Sequence, residues 1–184
     1  VADAVVDAWT YDPANAKADK GVVATASFYR SVAFTAKAAR LLGKDADADR
    51  WAELAGKIRT GFNTHYVNRD GTILSDCATV YALAVCFGLL DDDQRAKAGD
   101  RLAEVVAERG YRVTTGFAGT PFVTWALSDT GHVDAAYRLL LEESSDMVSF
   151  HAPGGAVEWI SPAVQRVLGW PPEEIAGTVL DLVH

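Results

Sequence analysis

Residues 75–110 read SDCATVYALAVCFGLLDDDQRAKAGDRLAEVVAERG, and this stretch decides the fold. Its first part, 75–90, is apolar nearly throughout, which predicts a helix buried on every side behind Ser75 or Asp76 as N-cap. Its second part, 91–110, opens on three aspartates, continues with apolar residues at three- and four-residue steps, and stops at Gly110. Acids suit the positive end of a helix and glycine suits a left-handed C-cap, so an amphipathic helix with one buried stripe follows. The unit is a helical hairpin with one wholly buried arm and one half-buried arm.

The same unit recurs on both sides. Upstream, GVVATASFYRSVAFTAKAARLLG (21–43) reads as a buried helix capped at Gly43. DADADRWAELAGKIRTGFNTHY (45–66) starts acidic and carries Trp51, Leu54, Ala55, Ile58 and Phe62 on one stripe, as an outer helix does. VNRDGTIL (67–74) then holds the Asp-Gly pair of a tight turn. Downstream, TPFVTWALSDTG (120–131) and HVDAAYRLLLEE (132–143) make a shorter third pair, with Thr120 placed as N-cap before Pro121. Buried helices thus start near 22, 76 and 121, a period of roughly 45 to 55 residues. A buried-then-amphipathic repeat of that length builds an α/α toroid or an α-solenoid, because each hairpin covers its neighbour's apolar face. Periodicity leaves both open.

Composition narrows the function. The 184 residues, 49% of them hydrophobic, suffice for one domain, or for a domain and part of a second. With 17 Lys and Arg against 25 Asp and Glu, a net charge of −8 and no basic run, the chain is not expected to take nucleic acid as a partner. No membrane partner is expected either, since no apolar run approaches the roughly 20 residues that span a bilayer and no basic-then-apolar leader opens the chain. Cys77 and Cys86 lie in one apolar helical stretch, about 13 Å apart along a helix and beyond disulfide reach. They read as buried free thiols of a reducing, cytoplasmic compartment. His65, His132, His151 and His184 have no metal-ligand spacing, and no phosphate loop or nucleophile elbow occurs, so no metal and no cofactor is expected. The chain begins at Val1 and its one methionine is Met147, which points to a longer reading frame.

The segments KADKGVVATASFYRS, SDCATVYALAV and YRVTTGFAGTPFVTWALSDTGHVDAAYRLLL carry a resemblance. Over residues 1–143 the chain resembles bacterial α-L-rhamnosidases, most specifically in TTGFAGTP (114–121) followed by ALSDTGH (126–132). The opening VVDAWTYDP is similar to the family's Gly-Asp-Trp stretch, with Ala8 between Asp7 and Trp9 where the family has Asp and Trp adjacent. The resemblance implies a mainly α fold, a partial α/α toroid in which about three of six helical hairpins are present, and hydrolysis of terminal α-L-rhamnosides with inversion. Inverting enzymes set a general acid and a general base about 6.5–9.5 Å apart. In the family these lie in a Cys-Pro-x-Arg-(Asp/Glu)-Glu-Arg motif and a Trp-Glu-Arg-Trp motif, and neither occurs in this sequence. No catalytic residue is assigned, and the chain alone is expected to be inactive.

What the resemblance does imply is part of a pocket wall for a rhamnose-containing carbohydrate, at the end of the toroid where inner helices start. Trp9, Lys20, Asp76, Thr79, Phe117 and Thr120 are the candidates. A ring such as Phe117 or Trp9 stacks on a sugar's apolar face, while hydroxyls or Asp76 hold its hydroxyl groups. The competing structural roles are helix caps for Asp76 and Thr120, and packing under its own loop for Phe117.

Past Glu143 the grammar changes. Val148 and Phe150, the turn APGG, and Val157, Trp159 and Ile160 describe a two-stranded hairpin, followed by a helix led by Ser161-Pro162 and another opening on Pro-Pro-Glu-Glu. With ISPA, VQRVLGW, PEEIAG and DLVH, residues 144–184 resemble the first half of a PAS sensor domain, without the remaining strands of its five-stranded sheet. No Cys follows Cys86, so neither flavin nor haem is implied. Trp159, Trp170 and Ile175 are expected to pack in its core. Two domains, 1–143 and 144–184, are therefore expected, joined near Glu143 in a longer or artificially joined reading frame. A PAS-containing signalling protein with a helical scaffold is the alternative function, and a plain solenoid interaction domain a third. The open toroid flanks, or the PAS segment, are expected to favour self-association.

Overall fold

In the computed structural model, which describes residues 18–143 and 146–177, the first helix begins at a capping side chain. The Asp19 carboxylate accepts from the Gly21 and Val22 N–H groups and starts α1 (Lys20–Leu41). The chain reverses at Gly43, whose φ of 69° is left-handed, and enters α2 (Asp45–Tyr66). Then come α3 (Ala78–Phe87), α4 (Asp92–Glu108), α5 (Gly116–Asp129) and α6 (Val133–Glu143). Asp91 and Gln94 close the head of α4 with a reciprocal capping box. The chain divides into two units, 1–136 and 137–184.

In the first unit α1, α3 and α5 lie side by side and parallel, and a few polar contacts fix their register. The Asp19 N–H donates to Ser75 Oγ at the heads of α1 and α3, and the Tyr29 hydroxyl donates to the Gly88 carbonyl farther along, at separations of 56 and 59 residues. Thr79 Oγ1 donates to the Thr115 carbonyl and Cys86 Sγ to the Phe122 carbonyl, both at a separation of 36. Near-constant offsets can arise only between helices running the same way. Outside this row, α2 packs on α1 and α4 on α3. Arg59 and Asn63 of α2 also donate to the Leu89 and Leu90 carbonyls in the turn between α3 and α4. α3 is buried at every residue from Ala78 to Val85, as its uniform apolarity predicts.

Several expectations change. The repeat is uneven because the connection from 67 to 77 is long, with a Val67–Ile73 bridge closing the turn at Gly71, and because α5 starts early. Thr120 is not its cap: Thr115 precedes the helix, Pro121 lies inside it, and the Thr120 hydroxyl donates back to the Gly116 carbonyl. Nor does Ser75 or Asp76 cap α3; Cys77 occupies that position without a side-chain bond. The helix at 20–41 is not wholly buried, since Phe28, Phe34 and Leu41 are exposed, as is Leu42 just after it. Of the α2 stripe, Ala55 and Phe62 are buried while Trp51, Leu54 and Ile58 are half-buried. Both cysteines are free but half-buried rather than buried, and desolvation pushes the Cys86 thiol up to about 11.

The second unit contains β1 (Ser149–His151) and β2 (Val157–Ile160), paired antiparallel with Ser149 opposite Ile160 and Phe150 opposite Trp159. α7 (Ala163–Leu168) and α8 (Pro172–Ile175) follow, and Val157, Ile160, Val164 and Ile175 form the core. The buried Ser161 hydroxyl accepts from the Val148 N–H and donates to the Asp146 carbonyl. Ile175 is in this core as expected, but Trp170 is exposed and Trp159 is half-buried against Phe150. Among the described residues no helix is long and apolar enough to cross a membrane.

The TTGFAGTP stretch has a packing reason for its second glycine. A β-carbon at Gly119 would stand 2.8 Å from Thr79 Oγ1 and 2.9 Å from Thr115 Cβ, so α3 and α5 approach this closely only over glycine. Gly119→Ala is expected to lower stability by about 1–3 kcal/mol despite alanine's better helix propensity. Thermal unfolding followed by circular dichroism checks this; an unchanged or raised Tm contradicts it.

Candidate functional site

Parallel register puts the heads of α1, α3 and α5 at one end of the row. Two links hold them: Asp19 to Ser75 between the first pair, and Thr79 to Thr115, at 3.3 Å, between the second. The connections 67–77 and 109–115 arrive at this same end, so irregular backbone collects there. Ser75 and Asp76 both have left-handed φ values, 80° and 36°, which side-chain-bearing residues adopt only when their surroundings hold them.

What holds them is a fork. Arg101 of α4 donates through Nε to Asp76 Oδ1 at 3.0 Å and through Nη2 to Oδ2 at 2.8 Å. The Tyr81 hydroxyl donates to the same Oδ1 and accepts the Ile73 N–H. The remaining Arg101 amine donates to Glu104 and Glu108 on its own helix. The guanidinium of Arg101 holds the Asp76 carboxyl below its ordinary range against the opposing effect of burial, and the Tyr81 hydroxyl adds to the lowering. Burial first, and Asp76 second, raise the Tyr81 hydroxyl. Asp76 is thus a fastening for the loop, where a helix cap was expected.

The other candidates fall as follows. Lys20 is exposed at the first residue of α1. Thr79 is buried, its hydroxyl given to Thr115, so it faces the helix contact. Thr120 is exposed and shares its hydroxyl with Thr115 Oγ1 at 2.9 Å. Phe117 is 100% exposed and does not pack under its loop. Trp9 lies outside the described residues. Thr79 and Thr120 meet through Thr115, and Asp76 stands next to the residue that links to the α1 head. Reading the sequence missed Arg101 and Tyr81. Their only signal is the spacing of Arg101 from Glu104 and Glu108, which does not show the reach back to Asp76.

Among the described residues this end offers no acid–base pair: Asp76 is held by Arg101 and Asp19 is occupied as a cap. Among the described residues no group of three metal-ligating side chains occurs. A cavity of about 610 Å³ lies farther down the inner helices, where the Arg30 guanidinium stands 4.7 Å from the Phe87 ring and 5.0 Å from the Phe122 ring. It is away from the helix heads.

The Asp76 fork has a pH signature. Because the folded carboxyl is depressed, its stabilisation is present above the unfolded value, about 3.9, and is lost as pH falls through the folded value. Asp76→Asn should cost about 1 kcal/mol at pH 7, a modest figure because the pair is partly solvated. The gap between wild type and variant in urea unfolding should close as pH is lowered below about 4. A gap that is constant with pH excludes this account.

Residues 2–156 match the bacterial alpha-L-rhamnosidase six-hairpin glycosidase domain. The match therefore runs beyond residue 143 into the β1–β2 hairpin. An alpha-L-rhamnosidase of Streptomyces avermitilis is 41% identical over 121 residues, covering 66% of this chain and 12% of its own length. One of Formosa agariphila is 32% identical over 124 residues, covering 67% and 13%. Among solved structures, the Streptomyces avermitilis alpha-L-rhamnosidase complexed with L-rhamnose has a TM-score of 0.66 at 37% identity, covering 71% of this chain and 12% of that one. The alpha-L-rhamnosidase of Aspergillus terreus gives 0.67 at 26% identity, covering 84% and 16%. The chain spans about one eighth of the length of the first two relatives. It belongs to the bacterial alpha-L-rhamnosidase six-hairpin glycosidase family.

Proposed function

We propose that this chain supplies part of the catalytic toroid of a glycoside hydrolase acting on terminal α-L-rhamnosides, and that the heads of α1, α3 and α5 form part of the wall that holds the sugar. The observation that carries this reading is Phe117: a fully exposed ring at the head of an inner helix, within the stretch that most specifically resembles the family. A sugar's apolar face is the natural cover for such a ring. Lys20 and Thr120 supply polar groups near the helix heads, while Asp76, fastened by Arg101, acts as part of the frame behind them. Thr79 acts from beneath, keeping the α5 head in place. The L-rhamnose complex of the Streptomyces avermitilis relative supports the choice of sugar.

Residues 1–184 contain neither carboxylate-bearing motif, so the chain by itself is inferred to hold the substrate wall without the chemistry. Residues 144–184 support a second reading, as the opening half of a PAS-type sensor joined to the toroid segment near Glu143. The order hairpin, helix, helix and the cluster of Val157, Ile160, Val164 and Ile175 favour it. Under that reading the helices are the scaffold of a signalling protein. A single long DNA read across the codons for 130–160 decides it: a break in frame makes two proteins of the chain, and an unbroken frame makes one.

Purified chain incubated with an aryl α-L-rhamnoside should release no aglycone; measurable turnover overturns the division between wall and chemistry. Saturation-transfer NMR with L-rhamnose should show binding that Phe117→Ala weakens about fivefold, the loss of roughly 1 kcal/mol of stacking. Binding that is indifferent to this substitution overturns the assignment of the wall.

A further inference from the structure

We propose that the cavity between α1 and the end of α3 binds a small hydroxy acid, a carboxylate with hydroxyl groups along its carbon chain. Its volume, about 610 Å³, is that of a pocket for a small molecule. It stands apart from the helix heads, so it is a second site and not an extension of the sugar wall.

The charge comes from α1. Arg30 and Lys37, two helical turns apart on one face, both line the cavity, and none of the residues lining it is acidic. In a chain of net charge −8 this is a local reversal of sign. Cations elsewhere are spent on carboxylates, Arg40 on Asp45 and Asp49, and Arg101 on Asp76. Asp129, whose charge is felt at Cys86 on this cavity, is paired with Arg95. Among the described residues neither Arg30 nor Lys37 has a carboxylate partner.

The Arg30 guanidinium is also held in place. It stands 4.7 Å from the Phe87 ring and 5.0 Å from the Phe122 ring, and those two rings meet edge to face. Aromatic contacts of this kind engage the face of the planar group and leave its edge N–H donors, which have no acceptor among the described residues. A positioned fork of donors is what a carboxylate accepts with both oxygens. Cys86 brings no opposing charge: burial pushes its thiol up to about 11, and its Sγ donates to the Phe122 carbonyl.

The hydroxyl groups of the ligand follow from Ser31 and Thr35, which also line the cavity. Ser31 has given its hydrogen to the Ser27 carbonyl at 3.0 Å, and Thr35 to the Ser31 carbonyl at 2.9 Å. Their oxygens are left as acceptors only, and an O–H of the ligand is their complement. The exposed Phe34 ring offers cover for the ligand's C–H groups. A neutral sugar would leave both cations unused, and a simple fatty acid would leave both acceptors unused. A hydroxy acid uses all four.

Saturation-transfer NMR on the full chain with D-gluconate tests this against two controls of equal chain length, sorbitol for the hydroxyls without the charge and hexanoate for the charge without the hydroxyls. Gluconate should bind, hexanoate about threefold more weakly, and sorbitol not at all. Arg30→Gln should weaken gluconate about tenfold and Lys37→Gln about threefold, with helical circular dichroism unchanged. Thr35→Val, which keeps the shape and removes an acceptor, should weaken gluconate and leave hexanoate as it was. Should Arg30→Gln lose helicity, the exposed Lys37 and Thr35 variants decide the matter. No gluconate binding, sorbitol or hexanoate binding as tightly as gluconate, or indifference to the Arg30 and Lys37 substitutions overturns the proposal. L-Rhamnose should not displace gluconate; displacement would put both on one site and overturn it too, whereas absence of rhamnose binding counts only against the sugar wall.

Discussion

A ten-residue helix with no polar face has to be covered on every side, and the first unit is arranged around meeting that demand for α3. Burial of this kind is non-directional, so it alone does not choose which helices do the covering. Direction comes from a few polar and steric details: Asp19 on Ser75, Thr79 on Thr115, and a glycine where two backbones approach. These contacts select a parallel row from the many ways of burying the same apolar area. The parallel row in turn brings three helix heads to one end.

That end gathers the exceptions to regular structure. Long connections, left-handed residues bearing side chains and an uncovered aromatic ring collect where the helices start, whereas the opposite ends are joined by short turns such as those at Gly43, Gly88 and Gly131. The cost of the irregular loop is offset by the fork between Arg101 and Asp76, which belongs to the frame and not to any ligand. The wall proposed for the sugar is thus fastened by side chains of the frame itself. Preorganisation of that sort lets a modest set of contacts hold a small polar molecule.

How much of this could be read from the sequence depended on range. Helix identities follow from composition and period: the nearly all-apolar 75–90 and the acid-headed 91–110 contain α3 and α4 in the expected order, with α3 three residues shorter at each end. The head of α5 did not, because Thr120-Pro121 imitates a helix start, while the true start uses Gly116 four residues earlier. The burial of α1 was overstated, since apolarity records what a helix face suits and not whether a neighbour is present. At the candidate site the family resemblance pointed to the helix heads, but the fastening of Asp76 there could not be read. Arg101 reaches across 25 residues to Asp76, and no local pattern encodes a contact made only after two helices have packed. The hairpin after residue 147 was readable because APGG is a local turn signal; the exposure of Trp170 was not.

The bonds from Arg59 and Asn63 to the carbonyls of Leu89 and Leu90 cross from one hairpin into the turn of the next. The first hairpin therefore completes hydrogen bonding that the turn of the second does not satisfy by itself. In a linear array this is a nearest-neighbour coupling, and it joins the unfolding of one repeat to that of the next. The outer helix thereby becomes a carrier of cooperativity, so that loosening at one end of the row weakens the turn that begins the following unit before any of its own apolar contacts are lost.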